Sequence, residues 1–303
     1  MKAYEYIIEH LEIINEKNVE IKLYCILLLK VFLPSLIEKH AISVKKLIHL
    51  FLKFMNSSDL NIKIASIESL SFLSEPCREE ILEIMGNKFL LNQILNNIKQ
   101  TNFRIGIIIA SLSLIGNLII VDKFFLLFFI DNGIIDIILN LLLSNEFIII
   151  KNSCWLISNL FGLYPNLILT INTNFLFQRL FHLCFEFPQL RSEICISILN
   201  CLQNFNENLI RMLIGNNLLE FIVTSLKSED FDLIILSLKI FELILSFNSI
   251  NYEFTKFLIN AIEGKGYTNV ILQIEKVSYI DAEVELLINS IDNKYEELKK
   301  NTL

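Results

Sequence analysis

Glycine and proline are scarce, with 8 and 4 residues respectively in a chain of 303. A large β protein turns often, and its turns draw on both residues. A helical array with short polar corners needs few of either. Little glycine also leaves little material for a phosphate-cradling loop. No Gly-x-x-x-x-Gly-Lys-Ser/Thr, Gly-x-Gly-x-x-Gly or Gly-x-Ser-x-Gly pattern occurs. Metal-ligand spacing is missing too: His10, His40, His49 and His182 are scattered. Paired carboxylates at Glu79/Glu80 and Glu296/Glu297 read as solvated helix faces. These absences argue against an enzyme and against a metal or other cofactor.

No Cys-x-x-Cys pair is present. The six cysteines, Cys25, Cys77, Cys154, Cys184, Cys195 and Cys201, sit mostly among apolar positions. They read as buried, reduced thiols of a cytoplasmic or nuclear protein. No excess of basic residues exists either: the net charge is −7 and the sequence pI about 5.3. That balance speaks against nucleic acid and is compatible with basic peptide partners. An apolar signal-peptide core is absent, because Glu5 and Glu9 stand where it would lie. Ile105–Val121 lacks charge but falls short of the ~20 residues of a membrane span. It contains Ser111, Ser113, Gly116 and Asn117, and a second apolar run follows at 124–130. A buried repeat helix accounts for it, and no membrane partner is expected.

What is present is a repeat. Residues 133–162 read as a helix, a polar corner at 144–146 and a longer helix. Residues 217–246 repeat the pattern, Asp136 matching Glu220 and Ser144 matching Ser228 at an offset of 84, or two periods of 42. The longer helices then align at Lys30, Phe72, Asn117, Asn159, Asn200 and Glu242, spaced 42, 45, 42, 41 and 42. Periods of about 40–47 belong to armadillo and HEAT repeats, which bury their apolar faces by stacking. The expected fold is an all-α, armadillo-type right-handed superhelix of six to seven repeats. It would run over residues 1–260, with a helical cap over 261–303. Gly162 reads as a left-handed C-cap, Pro34 and Pro165 as residues just beyond helices. Gly116 lies inside a helix, where it costs about 1 kcal/mol against Ala, and reads as a close-packing position.

From about residue 105 the repeats resemble importin alpha. Residues 151–168, KNSCWLISNLFGLYPNLI, are similar to the family repeat that carries a Trp-x-x-x-Asn pair. SLSLIGNLII resembles the repeat before it, and 192–210, with Glu193 and Asn200, the one after. Residues 232–245 and 262–298 are similar to the family's closing segments. The match runs in order over roughly 105–298, whereas residues 1–104 match only as generic repeats.

The resemblance implies a nuclear import adaptor that binds a basic nuclear localisation signal peptide in the family's minor groove. Trp155 and Asn159 share one helix face. An indole face accepts a Lys stem or an Arg guanidinium, and an Asn carboxamide can bond an extended backbone of any sequence. Asn117, Asn159 and Asn200 would form the ladder. Glu193 would add negative charge, and Ser113 and Ser158 would complete the peptide-binding set. Importin beta and the family's export receptor are the further implied partners, in cytoplasm and nucleus. The sequence departs from the family in two ways. The neighbouring Trp positions hold Ile26, Glu68, Ser113, Ile196 and Leu238, and no Lys/Arg cluster precedes the first amphipathic helix. The alternative is a generic armadillo protein–protein interaction scaffold. The two separate on whether Trp155, Asn159 and Asn200 face solvent on the concave surface or pack between repeats.

Overall fold

Apolar residues at helical spacing, broken by short polar corners, leave only helices to form. The computed structural model describes residues 3–13, 18–37, 41–99, 104–169, 171–204, 206–247, 252–264, 266 and 282–300. All regular structure among them is helical. The helices are α1 (Ala3–Ile13), α2 (Val19–Ile37), α3 (Ala41–Phe54), α4 (Leu60–Ser74), α5 (Arg78–Met85) and α6 (Lys88–Lys99). They continue with α7 (Ile105–Val121), α8 (Lys123–Asp131), α9 (Ile134–Leu141), α10 (Phe147–Leu163), α11 (Thr173–Glu186) and α12 (Arg191–Cys201). The last five are α13 (Glu207–Gly215), α14 (Leu218–Leu226), α15 (Phe231–Leu245), α16 (Tyr252–Gly264) and α17 (Ala282–Lys300). The chain forms two compact units, Met1–Leu156 and Ile157–Leu303, dividing inside α10.

Lys30, Phe72, Asn117, Asn159, Asn200 and Glu242 fall in α2, α4, α7, α10, α12 and α15, the closing helix of successive repeats and the longer one in each but α12, which is shorter than α11. In the first unit α2 packs on α4 and α4 on α7; in the second, α12 packs on α15 and α15 on α17. The corners between helices repeat as well. Ser57, Ser144 and Ser228 each accept, through Oγ, a hydrogen bond of 3.1 Å from the backbone N–H two residues on. Two of those residues, Asp59 and Asp230, then cap α4 and α15 through their carboxylates. The α8–α9 and α13–α14 corners match at the same offset. Gly133 (φ 81°) and Asn217 (φ 75°) both take the left-handed conformation that Gly and Asn tolerate best. The residue before each, Asn132 or Asn216, bonds back through Nδ2 to the carbonyl four residues earlier.

Close packing needs small residues at one position of the longer helices. Ser66, Ser111, Ser153, Cys195 and Ser237 occupy it, all fully buried. Ser66, Ser153 and Ser237 satisfy their hydroxyls on the carbonyl four residues back in their own helices. Burial pushes the Cys195 thiol up to about 12 and the Cys77 thiol up to about 11. Both remain protonated near neutrality. All six cysteines are free thiols, and only Cys25 is not buried. The core of the second unit carries an aromatic run, Phe161, Phe177, Phe181 and Phe221, with centroids 5.5–6.3 Å apart.

Two local expectations are corrected. Gly162 lies inside α10 with a negative φ, so it is no left-handed cap. A Cβ there would sit 3.0 Å from Asn200 Nδ2, which makes it a close-approach residue. Pro34 lies inside α2 rather than beyond it. Pro165 behaves as expected, opening a 3-10 turn directly after α10. Among the described residues no single helix is long and apolar enough to cross a membrane. Most of α7 is buried within the repeats. The cap expected over 261–303 begins inside α16 and falls partly outside the described residues.

The last helix is held by charge as well as packing. Lys294 Nζ lies 2.8 Å from Glu242, Ser290 donates to the same carboxylate oxygen, and Lys239 pairs with Glu283 at 2.7 Å. Burial alone would raise the Glu242 carboxyl, but the bonds from Lys294 and Ser290 outweigh it and hold the group below its ordinary value. Such a group stabilises the folded state above its unfolded value of 4.5 and loses that contribution as pH falls through the lower folded value. Glu242→Gln is therefore expected to destabilise the protein by about 0.5–1 kcal/mol at neutral pH in urea denaturation. The gap between the two proteins should close in acid below 4.5.

Candidate functional surface

Each of these otherwise buried helices keeps one stripe open, and the residues singled out from sequence lie on such stripes, Ser158 excepted. On α7 that stripe runs through Ile109, Ser113, Asn117 and Ile120. On α10 it runs through Ile148, Lys151, Trp155 and Asn159, and on α12 through Glu193, Ile196 and Asn200. The three- and four-residue steps put each set on one helix face. In the first unit α4 adds Ile64, Glu68 and Phe72.

Trp155 is half-buried. Its benzo edge rests on Gly116, where a Cβ would come within 2.1 Å of the ring. Gly116 is thus the seat of the indole, and the close-packing role expected of it has a specific partner. Asn117 turns its amide nitrogen to the preceding repeat, donating at 2.9 Å to both the carbonyl and the hydroxyl of Ser71. Asn200 donates at 2.8 Å to the Ser158 carbonyl. These two side chains staple repeats through the donors expected to meet a peptide, leaving Oδ1 as the group they can offer. Asn159 differs, because its Nδ2 is buried with no hydrogen-bond partner among the described residues. Ser158 is corrected as a contact residue, since it is only 3% exposed. Ser113 and Glu193 are part-exposed on their stripes.

Lys151 is the residue that sequence reading passed over. It is exposed one turn before Trp155, on the same face. It is also the only charged side chain within α7 and α10. On α4, Glu68 is already engaged by Lys30 at 2.6 Å. The stripe around the indole is therefore apolar and amide-bearing, with a single positive charge. Among the described residues no group of three or more His, Cys, Asp or Glu side chains could hold a metal ion.

The three asparagines are expected to part company on substitution. Asn117→Ala and Asn200→Ala each leave a carbonyl without its donor and should cost about 1–3 kcal/mol. Asn159→Ala removes an unsatisfied donor and should be neutral or stabilising in the same urea titration. Gly116→Ala should destabilise strongly through overpacking, and Trp155→Ala in the same chain should relieve much of that loss.

No family model matches the sequence, and no curated protein matches it. Solved structures do. The designed armadillo repeat protein YIII(Dq)4CqI superposes with a TM-score of 0.65 at 17% identity, over 81% of this chain and 98% of that one. The designed armadillo repeat protein YIII(Dq.V1)4CPAF, in complex with peptide (KR)4, gives a TM-score of 0.66 at 17% identity over the same shares. Computationally designed armadillo repeat proteins for modular peptide recognition give 0.62 at 17%, over 80% of this chain and 98% of theirs. At such identities the likeness carries the fold alone, and it does not single out importin alpha. The chain is an all-α, armadillo-type repeat protein.

Proposed function

We propose that this chain is an armadillo interaction scaffold that takes an extended, apolar-bearing peptide segment of a partner protein along the longer helices of its repeats. The observation that carries the reading is the α7 and α10 stripe: Trp155 seated on Gly116, flanked by isoleucines, with Lys151 its only charge. An extended strand advances about 3.3 Å per residue, and stacked helices lie about 8–10 Å apart. Alternate peptide side chains would then meet the indole and the isoleucines, while the Oδ1 of Asn117 accepts a backbone N–H.

A second reading is the importin-alpha-like adaptor for basic localisation signals. Two points support it: the Trp155–Asn159 spacing, and the likeness to a designed protein solved with (KR)4. Against it stands charge. A basic peptide finds no carboxylate on α7 or α10, and Lys151 repels it.

Fluorescence anisotropy with (KR)4 and with an alternating Ser–Leu peptide of the same length separates the two. The scaffold reading expects the neutral peptide to bind with little salt dependence, and Trp155→Ala to weaken it about tenfold. Lys151→Glu should raise (KR)4 binding several-fold. Tight, salt-sensitive binding of (KR)4 by the unaltered protein would overturn the scaffold reading in favour of the adaptor.

A further inference from the structure

Helix α2 leaves an apolar face uncovered. Its opposite stripe, Lys22, Ile26, Leu29 and Leu33, is buried, and α1, α3 and α4 pack on the helix. The open face carries Ile21, Tyr24, Leu27, Leu28, Val31 and Phe32, with Tyr24 65% and Val31 73% exposed. None of the six is charged; Glu20, exposed one turn before Tyr24, stands at the N-terminal edge of the face.

Nothing among the described residues covers this face of α2. Tyr24, near its centre, suits a flat, aromatic-lined contact.

We infer that the α2 face pairs with the α2 face of a second copy of this chain, in a closed two-fold dimer. The area fits. From their fractional exposures, the six side chains offer on the order of 600 Å² per copy, so a dimer buries about 1,200 Å², the lower bound of a standard interface. A patch of this size lies at the upper end of what a monomer exposes, and such patches are often functional. The second observation is the chemistry of α17. Its outward positions carry Glu285, Asn289, Asp292, Asn293, Glu296 and Glu297, all exposed, with Leu286 as an exposed apolar residue among them. Such a largely polar surface caps a repeat array and is a poor cover for an apolar face. Pairing is therefore like with like, which closes at two copies, rather than head to tail, which would propagate.

Sedimentation velocity on the full chain tests this. Dimers are expected at micromolar concentration, without higher species. Tyr24→Glu and Val31→Glu should each weaken association on the order of 30-fold or more. Their far-ultraviolet circular dichroism and melting should stay unchanged, because both side chains are already exposed. Leu286→Glu, on the exposed surface of α17, should leave the dimer intact. A monomer at every concentration would overturn the inference, as would dimers that survive both α2 variants. An open series of oligomers sensitive to Leu286→Glu would replace it with head-to-tail stacking. A monomeric wild type that floats with phosphatidylcholine–phosphatidylserine vesicles, and loses that ability in Val31→Glu, would assign the face to lipid.

Discussion

Close approach between the longer helices of adjacent repeats is the constraint on which the rest of this structure depends. A repeat of about 42 residues has too little interior to be stable alone. Its longer helix must be covered on nearly every side, so α7 is hydrophobic almost all round. Covering requires a small residue where helices cross, which fixes Ser66, Ser111 and Ser153 in the first unit and Cys195 and Ser237 in the second. Serine fits there because its hydroxyl turns back to its own helix and leaves nothing unsatisfied at the crossing. The amide staples of Asn117 and Asn200 add direction to contacts that apolar packing alone leaves free to slide.

The candidate surface is what that constraint leaves uncovered. One stripe per longer helix stays part-exposed, and its chemistry decides what can bind. Trp155 gives a large rigid contact, the isoleucines give apolar breadth, and the remaining Asn oxygens give acceptors of no sequence preference. Charge is nearly absent from α7 and α10, so partner choice there rests on shape and apolar contact more than on steering. Glu68 and Glu242 bring carboxylates to equivalent faces of α4 and α15, but lysines already hold them.

Much of this was legible from sequence because it is periodic. The 84-residue offset located both Ser corners, since corner chemistry is local; the left-handed turns at Gly133 and Asn217, one offset apart, came only with the fold. The longer helices, and the positions of Asn117, Trp155, Asn159 and Asn200 on them, follow from apolar spacing alone. What the spacing could not contain was the direction of each side chain. An Asn on such a stripe reads the same whether its nitrogen faces a peptide, staples a carbonyl as Asn200 does, or is buried with no acceptor among the described residues as in Asn159. Gly162 read as a cap because glycine commonly ends helices. Its actual role depends on Asn200, 38 residues away. The open face of α2 was hidden for a similar reason: its residues are as apolar as those of a covered helix, and only the fold shows that no described residue packs over it.

The seat of Trp155 carries an evolutionary corollary. A methyl group on residue 116 would overlap the indole, so the two positions form one inherited character rather than two. Among descendants of this chain, glycine at 116 should persist wherever tryptophan stands at 155. Lineages that exchange the tryptophan for a smaller residue become free to replace the glycine, whose helix-weakening backbone then brings no compensating contact. Loss of the ring should therefore come first, and loss of the glycine should follow.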